Sequence, residues 1–250
     1  MLKLRTLVLL FAAVVPAAHA QWKVVSVQSE PGRAGAEHRH LVFENAANGQ
    51  RADVDVAIFS SKSCTLRVMD NPEGERLASV VKRDGYVCGV NGGYFDENFK
   101  PIGLRVVNGE SVAPLQRARL ITGVLLASSR GVQIVRARDF SQRQKLGAAI
   151  QCGPFLVDSS QPVRGLNDSA PARRTFAATG RSDRALVGVS SEVSLANLAK
   201  ILAAADLNMQ RAMNLDGGSS TAFWFARENG SAFSIPEYKS VRDFVAVVPK

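Results

Sequence analysis

The stretch SLANLAKILAAADLNMQRAMNLDGGSST, residues 194–221, decides how this chain is read. Ser194 is a suitable helix cap, and Leu195, Leu198, Ala199, Leu202 and Ala205 recur on one face of the helix it opens. Ala212-Met213-Asn214-Leu215 then reads as a strand running straight into Asp216. One carboxylate, two glycines and three hydroxyls follow in a row, more polar, flexible chain than a turn requires. With an apolar run at 185–189 before the helix, the order is strand, helix, strand, glycine turn.

Outward from there, short β-patterned runs dominate. They fall at 22–27, 40–44, 54–60, 86–90, 104–107, 120–127, 132–136, 148–157, 175–179 and 244–248, most with Gly, Asn, Asp or Pro near their ends. A second helix reads at 72–82, with Asn71 as its cap, Pro72 at its first position and Leu77, Val80 and Val81 on one face. Residues 30–37 read as an early loop, and 138–145 and 159–173 as long loops or a lid. No repeat or composition break divides the chain. The expected fold is α+β: one domain over residues 21–250, a large mixed β-sheet with a few packed helices.

The first twenty residues read as a secretory signal. Lys3 and Arg5 give a positive start, an apolar run follows, Pro16 breaks it, and Ala18-His19-Ala20 is a small-x-small cleavage site. No cysteine follows that site, which argues against a lipid anchor, and no later segment is apolar for long enough to span a membrane. The expectation is a protein exported to the periplasm or cell exterior, without stable membrane insertion. Its oligomeric state is not legible.

Lys and Arg number 31 against 22 Asp and Glu, a formal charge of +9; without Lys3 and Arg5 it is +7. A basic exported protein suits anionic partners such as phosphorylated glycans, although the charge also serves solubility. Basic residues are scattered and do not interleave with aromatics, which disfavours nucleic acid. Cys64, Cys88 and Cys152 allow one disulfide and a spare thiol in an oxidising compartment, with the pairing open. No cysteine pair has zinc-ligand spacing.

The chemistry concentrates in two turns of similar make-up. In the first, Gly217 and Gly218 can bring backbone N–H groups to an anion, Ser219, Ser220 and Thr221 add hydroxyls, and Asp216 supplies the only charge. In the second, Asn91-Gly92-Gly93-Tyr94-Phe95-Asp96 combines an amide, two glycines, a carboxylate and an aromatic ring able to stack on a sugar. Each is open to the plainer reading of a turn, but two such turns at strand ends suggest two rims of one pocket. Arg173-Arg174-Thr175 opens a strand and can set a guanidinium fork against phosphate, or merely end a strand in solvent. Residues 152–157 form a strand broken by Gly153-Pro154, which demands a bulge or special turn. His38 and His40 alternate on a strand; they read as exposed, with no third ligand to complete a metal site. No Gly-x-Ser-x-Gly elbow is present, so a Ser-His-Asp hydrolase is disfavoured. Asp216 with neighbouring hydroxyls and carbonyls is chemically suited to calcium or magnesium, but no spacing assigns a metal or other cofactor.

Taken in order, NGGYF, Pro101-x-Gly103, CGPFLV, RRT and NLDGGSST resemble the phosphodiester glycosidase family, from about residue 54 to 248. The resemblance implies an enzyme that hydrolyses a sugar-1-phosphodiester at the anomeric carbon, on envelope or extracellular glycans. It implies Asp216 as nucleophile, base or oxocarbenium stabiliser and Asp96 as a second carboxylate. Arg174, with Arg173, would grip phosphate alongside Gly217, Gly218 and Ser219, while Asn91 and Tyr94 position the sugar. Gly92, Gly93, Thr175 and Ser220 complete the implied binding set. Two departures stand out: Ser219 occupies a third-glycine position, and Arg174-Thr175 continues Phe176-Ala177-Ala178-Thr179-Gly180 where the family has a shorter Arg-Thr-Ala-hydrophobic-Gly. The alternative is a non-catalytic glycan-binding protein on the same scaffold.

Overall fold

A computed structural model describes residues 22–141 and 144–250, so the expected signal segment lies outside the described residues. The first half runs β1 (Trp22–Pro31), β2 (Glu37–Asn45), β3 (Arg51–Ser60), β4 (Cys64–Asp70), α1 (Leu77–Arg83), β5 (Cys88–Asn91), β6 (Arg105–Val107), β7 (Glu110–Ala113), β8 (Gly123–Ser128) and β9 (Gly131–Arg136). It continues with β10 (Leu146–Cys152), β11 (Phe155–Asp158), β12 (Gln161–Pro162), β13 (Ala172–Gly180), β14 (Arg184–Val193), α2 (Leu195–Ala204), β15 (Met209–Asn214), β16 (Phe223–Ala226), β17 (Ala232–Ile235) and β18 (Asp243–Pro249).

The α+β character holds, with two α-helices among the described residues. The strands are divided among three sheets, of eight, five and five strands. Their orders are β1-β2-β3-β14-β13-β15-β11-β12, β7-β6-β10-β8-β9 and β17-β16-β5-β18-β4. The described pairings are antiparallel. Residues 148–157 are not one strand: the chain passes from the second sheet to the first at Gly153–Pro154, a cis peptide.

One core joins all three sheets. Ala185, Val187 and Val189 of β14 enter it with Cys64 and Leu66 of β4, Ile150 of β10 and Val245 and Val247 of β18. The opposite faces are also covered: Leu186 meets α2, and Phe244 meets α1. Strands buried on both faces lose polar alternation, which is why these runs are continuously apolar in sequence.

Helix α2 forms as its periodicity dictates. The Ser194 hydroxyl accepts the Asn197 N–H at 3.1 Å, and Leu198, Ala199, Ile201 and Leu202 are buried against the large sheet. Helix α1 is shorter than the sequence suggests. Asn71 does not cap it; its side chain binds Glu75 N–H and the Val241 carbonyl in a preceding turn. The Leu77 N–H is instead satisfied by buried Glu237, 160 residues away, a partner no local pattern reveals. Residues 30–37 are also more ordered than expected, since β1 extends to Pro31.

The histidines correct a second expectation. His38 is buried, its Nδ1 2.7 Å from Glu30 and Nε2 2.9 Å from Asp55, with its ring stacked on Phe233. His40 shares the Asp55 carboxylate at 3.0 Å. These inward carboxylates make the position tolerable for imidazole. All three cysteines are buried and free. Cys64 and Cys88 lie on strands either side of β18, about 9–10 Å apart by sheet spacing, too far to bond. Burial pushes the Cys152 thiol up to about 12 and Cys88 up as well, leaving both unreactive. Among the described residues no helix is long and apolar enough to cross a membrane.

Truncating the α2 anchor, Leu198→Ala, should cost about 2–5 kcal/mol through lost burial and a residual cavity. Urea unfolding followed by circular dichroism measures it.

Candidate active site

The two glycine turns meet at the ends of β5 and β15. The Leu215 N–H donates to the Thr175 carbonyl of β13 at 2.8 Å, and the Asp216 N–H donates to the Gly92 carbonyl at 3.0 Å. Asn91, with no exposed surface, closes the junction. Its Nδ2 donates to the Asp216 carbonyl at 2.7 Å, and its Oδ1 accepts from the Thr175 hydroxyl at 2.6 Å and the Ala222 N–H at 3.0 Å. Asn91 and Thr175 therefore hold the Asp216 turn in place from beneath.

Gly92 and Gly93 are glycines because a buried ion pair lies against them. Arg105 Nε and Asp243 Oδ2 are 2.7 Å apart, and the Gly93 N–H donates to the other carboxylate oxygen at 2.7 Å. A side chain at 92 would begin 1.8 Å from Asp243 Oδ1, and one at 93 would begin 1.9 Å from Arg105 Nη2. Arg105 also donates to the carbonyls of Tyr94, Leu104 and Gln151. The Gly92–Tyr94 backbone is thus tied to β6, β10 and β18.

Tyr94 is held in the same way. Its hydroxyl donates to the Gly153 carbonyl at 2.8 Å and accepts from Asn214 Nδ2 at 3.0 Å, and burial raises its pKa. Asp96 is exposed, and its carboxylate accepts the Asn98 and Lys100 N–H groups of its own turn at 2.9 Å. The structure places it as a turn former, separate from the Asn91–Asp216 junction.

Asp216 sits where the turns converge. Burial raises its pKa above the ordinary 3.8. The nearby Ser220 hydroxyl, the Gly217 N–H and Lys239 oppose that rise, and Asp243 adds to it. The Gly217 N–H is a direct bond of 2.9 Å, whereas the Ser220 hydroxyl stands outside hydrogen-bond geometry. Gly218, at φ +63°, has nothing within 4 Å of where a side chain would start, so the turn opens outward there.

The arginines flank this turn. A Cβ at Gly217 would lie 2.8 Å from the Arg173 carbonyl and 3.7 Å from Arg174 Cα. Arg174 donates through Nε to the Val193 carbonyl at 3.0 Å and through Nη2 to the Ala170 carbonyl. Burial lowers its pKa from the ordinary arginine value, yet guanidinium stays charged in proteins. Arg173 Nη2 donates to the Thr221 carbonyl at 2.7 Å, and its guanidinium covers the ring of Tyr238, 4.4 Å from the centroid. Neither arginine forms an ion pair with a described carboxylate.

Among the described residues, four buried side-chain polar atoms lack a partner: Arg173 Nη1, Asn214 Oδ1, Ser220 Oγ and Thr221 Oγ1. All four belong to the Asp216 turn or its flanks. Folded proteins pair nearly all such atoms, so this concentration marks a region whose hydrogen bonding is unfinished. No cluster of three or more His, Cys, Asp or Glu side chains suited to a metal occurs among the described residues.

The sequence matches the phosphodiester glycosidase family over residues 84–248. The chain belongs to that family. Its fold is shared with the zebrafish N-acetylglucosamine-1-phosphodiester alpha-N-acetylglucosaminidase catalytic domain, auto-inhibited by its pro-peptide, at TM-score 0.65 and 16% identity over 90% of this chain and 88% of that one. A hypothetical protein from Synechocystis gives TM-score 0.61 at 14% identity, over 90% and 64%. A putative exported protein from Burkholderia pseudomallei K96243 gives 0.57 at 12%, over 80% and 75%. In Escherichia coli K12, the uncharacterized protein YigE is 25% identical over 150 residues, 56% of this chain and 59% of that protein. At these identities the solved structures establish the shared fold alone.

Within this family member, reading by sequence overlooked Arg105, Asp243, Tyr238 and Lys239. Asp243 opens an otherwise apolar strand, and Arg105 lies between apolar neighbours; a lone charge in a buried run was the available signal. Tyr238, 72% exposed, carried no pattern at all. Its Tyr238 N–H reaches the Ser219 carbonyl at 2.8 Å, which brings residues 236–239 alongside the Asp216 turn.

Replacing Asp243 by Ala strands Arg105 as an unpaired buried cation. We expect a loss of about 3–5 kcal/mol in chemical unfolding.

Proposed function

We propose that this protein is an exported hydrolase that cleaves the sugar–phosphate glycosidic bond of a sugar-1-phosphodiester in envelope or extracellular glycans. The observation carrying this reading is a burial-raised carboxylate, Asp216, flanked by two arginines without ion-pair partners. Family membership gives the reaction class its support.

The chemistry suits these groups. The anomeric C–O bond breaks, its electron pair leaves on the phosphate oxygen, and water delivers hydroxide to C1 while giving up a proton. Positive charge develops on the sugar, opposite an ionised carboxylate acting as nucleophile or as base toward water. The departing phosphomonoester is a stable anion, so cations and N–H dipoles do much of what a general acid does elsewhere. In this reading Arg174, Arg173 and the Gly217–Ser219 backbone hold the phosphate. Asn91, Thr175 and Tyr94 are positioning residues for Asp216, and Asp96 carries no step. Calcium or magnesium at Asp216 would supply further charge to the phosphate.

Phosphorus NMR with an α-N-acetylglucosamine-1-phosphodiester tests the reading. We expect a phosphomonoester from the wild type and at least a hundredfold slower release from Asp216→Asn, with Asp96→Asn close to wild type. Equal release by wild type and Asp216→Asn would remove Asp216 from the reaction; saturable binding without turnover would leave a glycan-binding protein.

Asp216 also predicts a pH signature. Its native pKa is raised, so the native state binds more protons than the unfolded state between the two values, and stability falls as pH rises through that window. Asp216→Asn should therefore unfold at a higher temperature than wild type at pH 7. The advantage should vanish below the ordinary carboxylate value of 3.8, as measured by scanning calorimetry.

A further inference from the structure

We infer that a second ligand site lies at the far end of β11, β13 and β15 from Asp216, and that it takes a saccharide unit bearing an oxyanion. Arg174 and Asp216 mark one end of β13 and β15, whereas Thr179 and Arg211 mark the other. Five residues of strand put the two ends roughly 16 Å apart. The second end carries a cavity of about 490 Å³, within the usual range for small-molecule sites.

Its lining includes four arginines, Arg130, Arg181, Arg184 and Arg211. Arg211 is anchored by the Ile134 carbonyl at 2.8 Å and by Asp158 at 3.5 Å, and Arg184 approaches the Leu207 carbonyl at 3.5 Å. The guanidinium groups of Arg130 and Arg181 make no hydrogen bond or ion pair with any described residue. Asp183 is the one acidic lining residue, and Lys62 lies 3.4 Å from it. The surplus positive charge is therefore local to this cavity, where an oxyanion can take a guanidinium fork.

Backbone strain converges on the same place. The β11–β12 hairpin turns through Ser159 and Ser160 at φ +53° and +62°, and the β13–β14 hairpin through Ser182 and Asp183 at +55° and +62°. Turns with two left-handed residues favour Asn-Gly or Asp-Gly, and neither contains glycine. Both are held at the cavity: the Ser160 N–H donates to the Gln210 carbonyl at 3.0 Å, and the Ser61 N–H donates to the Asp183 carbonyl at 2.7 Å. Left-handed non-glycine residues cluster at ligand sites, where surrounding structure enforces them. Ser61, Ser160, Gln133 and Gln210 supply hydroxyl and amide groups around the arginines, the complement of sugar hydroxyls. No aromatic side chain lines the cavity, so it lacks the stacking platform that nucleic-acid bases use.

Isothermal titration of the purified chain with glucose 6-phosphate, glucuronate, glucose and inorganic phosphate tests the inference. Saturable binding of glucose 6-phosphate or glucuronate is expected, the tighter of the two identifying phosphate or carboxylate as the recognised group. The Arg130→Ala/Arg181→Ala variant should bind at least tenfold more weakly with an unchanged unfolding midpoint, while Asp216→Asn binds as wild type. The inference fails if neither charged sugar saturates, if inorganic phosphate or glucose binds equally well, or if the double variant keeps full affinity. Loss of binding in Asp216→Asn would place the ligand at the other site and overturn it as well.

Discussion

Arg105 and Asp243 lie 2.7 Å apart with side chains 1% and 2% exposed, and the pair joins β6 of one sheet to the first residue of β18 in another. Two charges so removed from water are tolerable only if each is nearly saturated with hydrogen bonds. The carboxylate achieves this with Arg105 and the Gly93 N–H, the guanidinium with carbonyls of three different segments. Fixing the Gly92–Gly93 backbone against the pair fixes the Gly92 carbonyl, which receives the Asp216 N–H. The position of the Asp216 turn is inherited from an ion pair that is almost wholly shielded from solvent.

Above that foundation the hydrogen bonding changes character. Asn91 has both oxygen lone pairs committed and Tyr94 uses its hydroxyl twice, so this layer is complete and rigid. Beside it, Ser220, Thr221, Asn214 and Arg173 leave buried polar atoms unmatched. Satisfied groups side by side with unmatched ones suit a preorganised site, where polar groups are held ready for charge that appears only during reaction. Arg173, held over Tyr238 and bonded to the Thr221 carbonyl, serves as much to fix the 236–239 segment as to present charge.

Much of the fold was legible because burial imposes periodicity. The α2 face, its Ser194 cap and the apolar strands at 54–60, 185–189 and 244–248 all follow from that rule. What misled was local chemistry with a distant partner. Asn71-Pro72 has the form of a helix start, but Glu237 supplies the acceptor that α1 uses, so the helix begins at Leu77. His38 reads as exposed because no sequence rule foretells two carboxylates, Glu30 and Asp55, closing around it. The long run at 148–157 conceals a change of sheet at Gly153–Pro154.

For the candidate site the division is similar. Residue types and short-range order brought forward Asp216 and its glycines, because turns that approach ligands and backbone closely must use glycine beside a few polar groups; the NGG turn and the two arginines gained their weight from the family resemblance. Only the tertiary structure separated Asp216 from Asp96, gave Asn91, Thr175 and Tyr94 supporting positions, and revealed Arg105, Asp243 and Tyr238. Those distinctions depend on which side chains meet across 84 to 150 residues of chain, as Thr175 meets Asn91 and Asp243 meets Gly93. Composition and periodicity are local properties and set which elements form; desolvation and hydrogen-bond completion are properties of the packed whole, and they decide which carboxylate is partly buried and has its pKa raised.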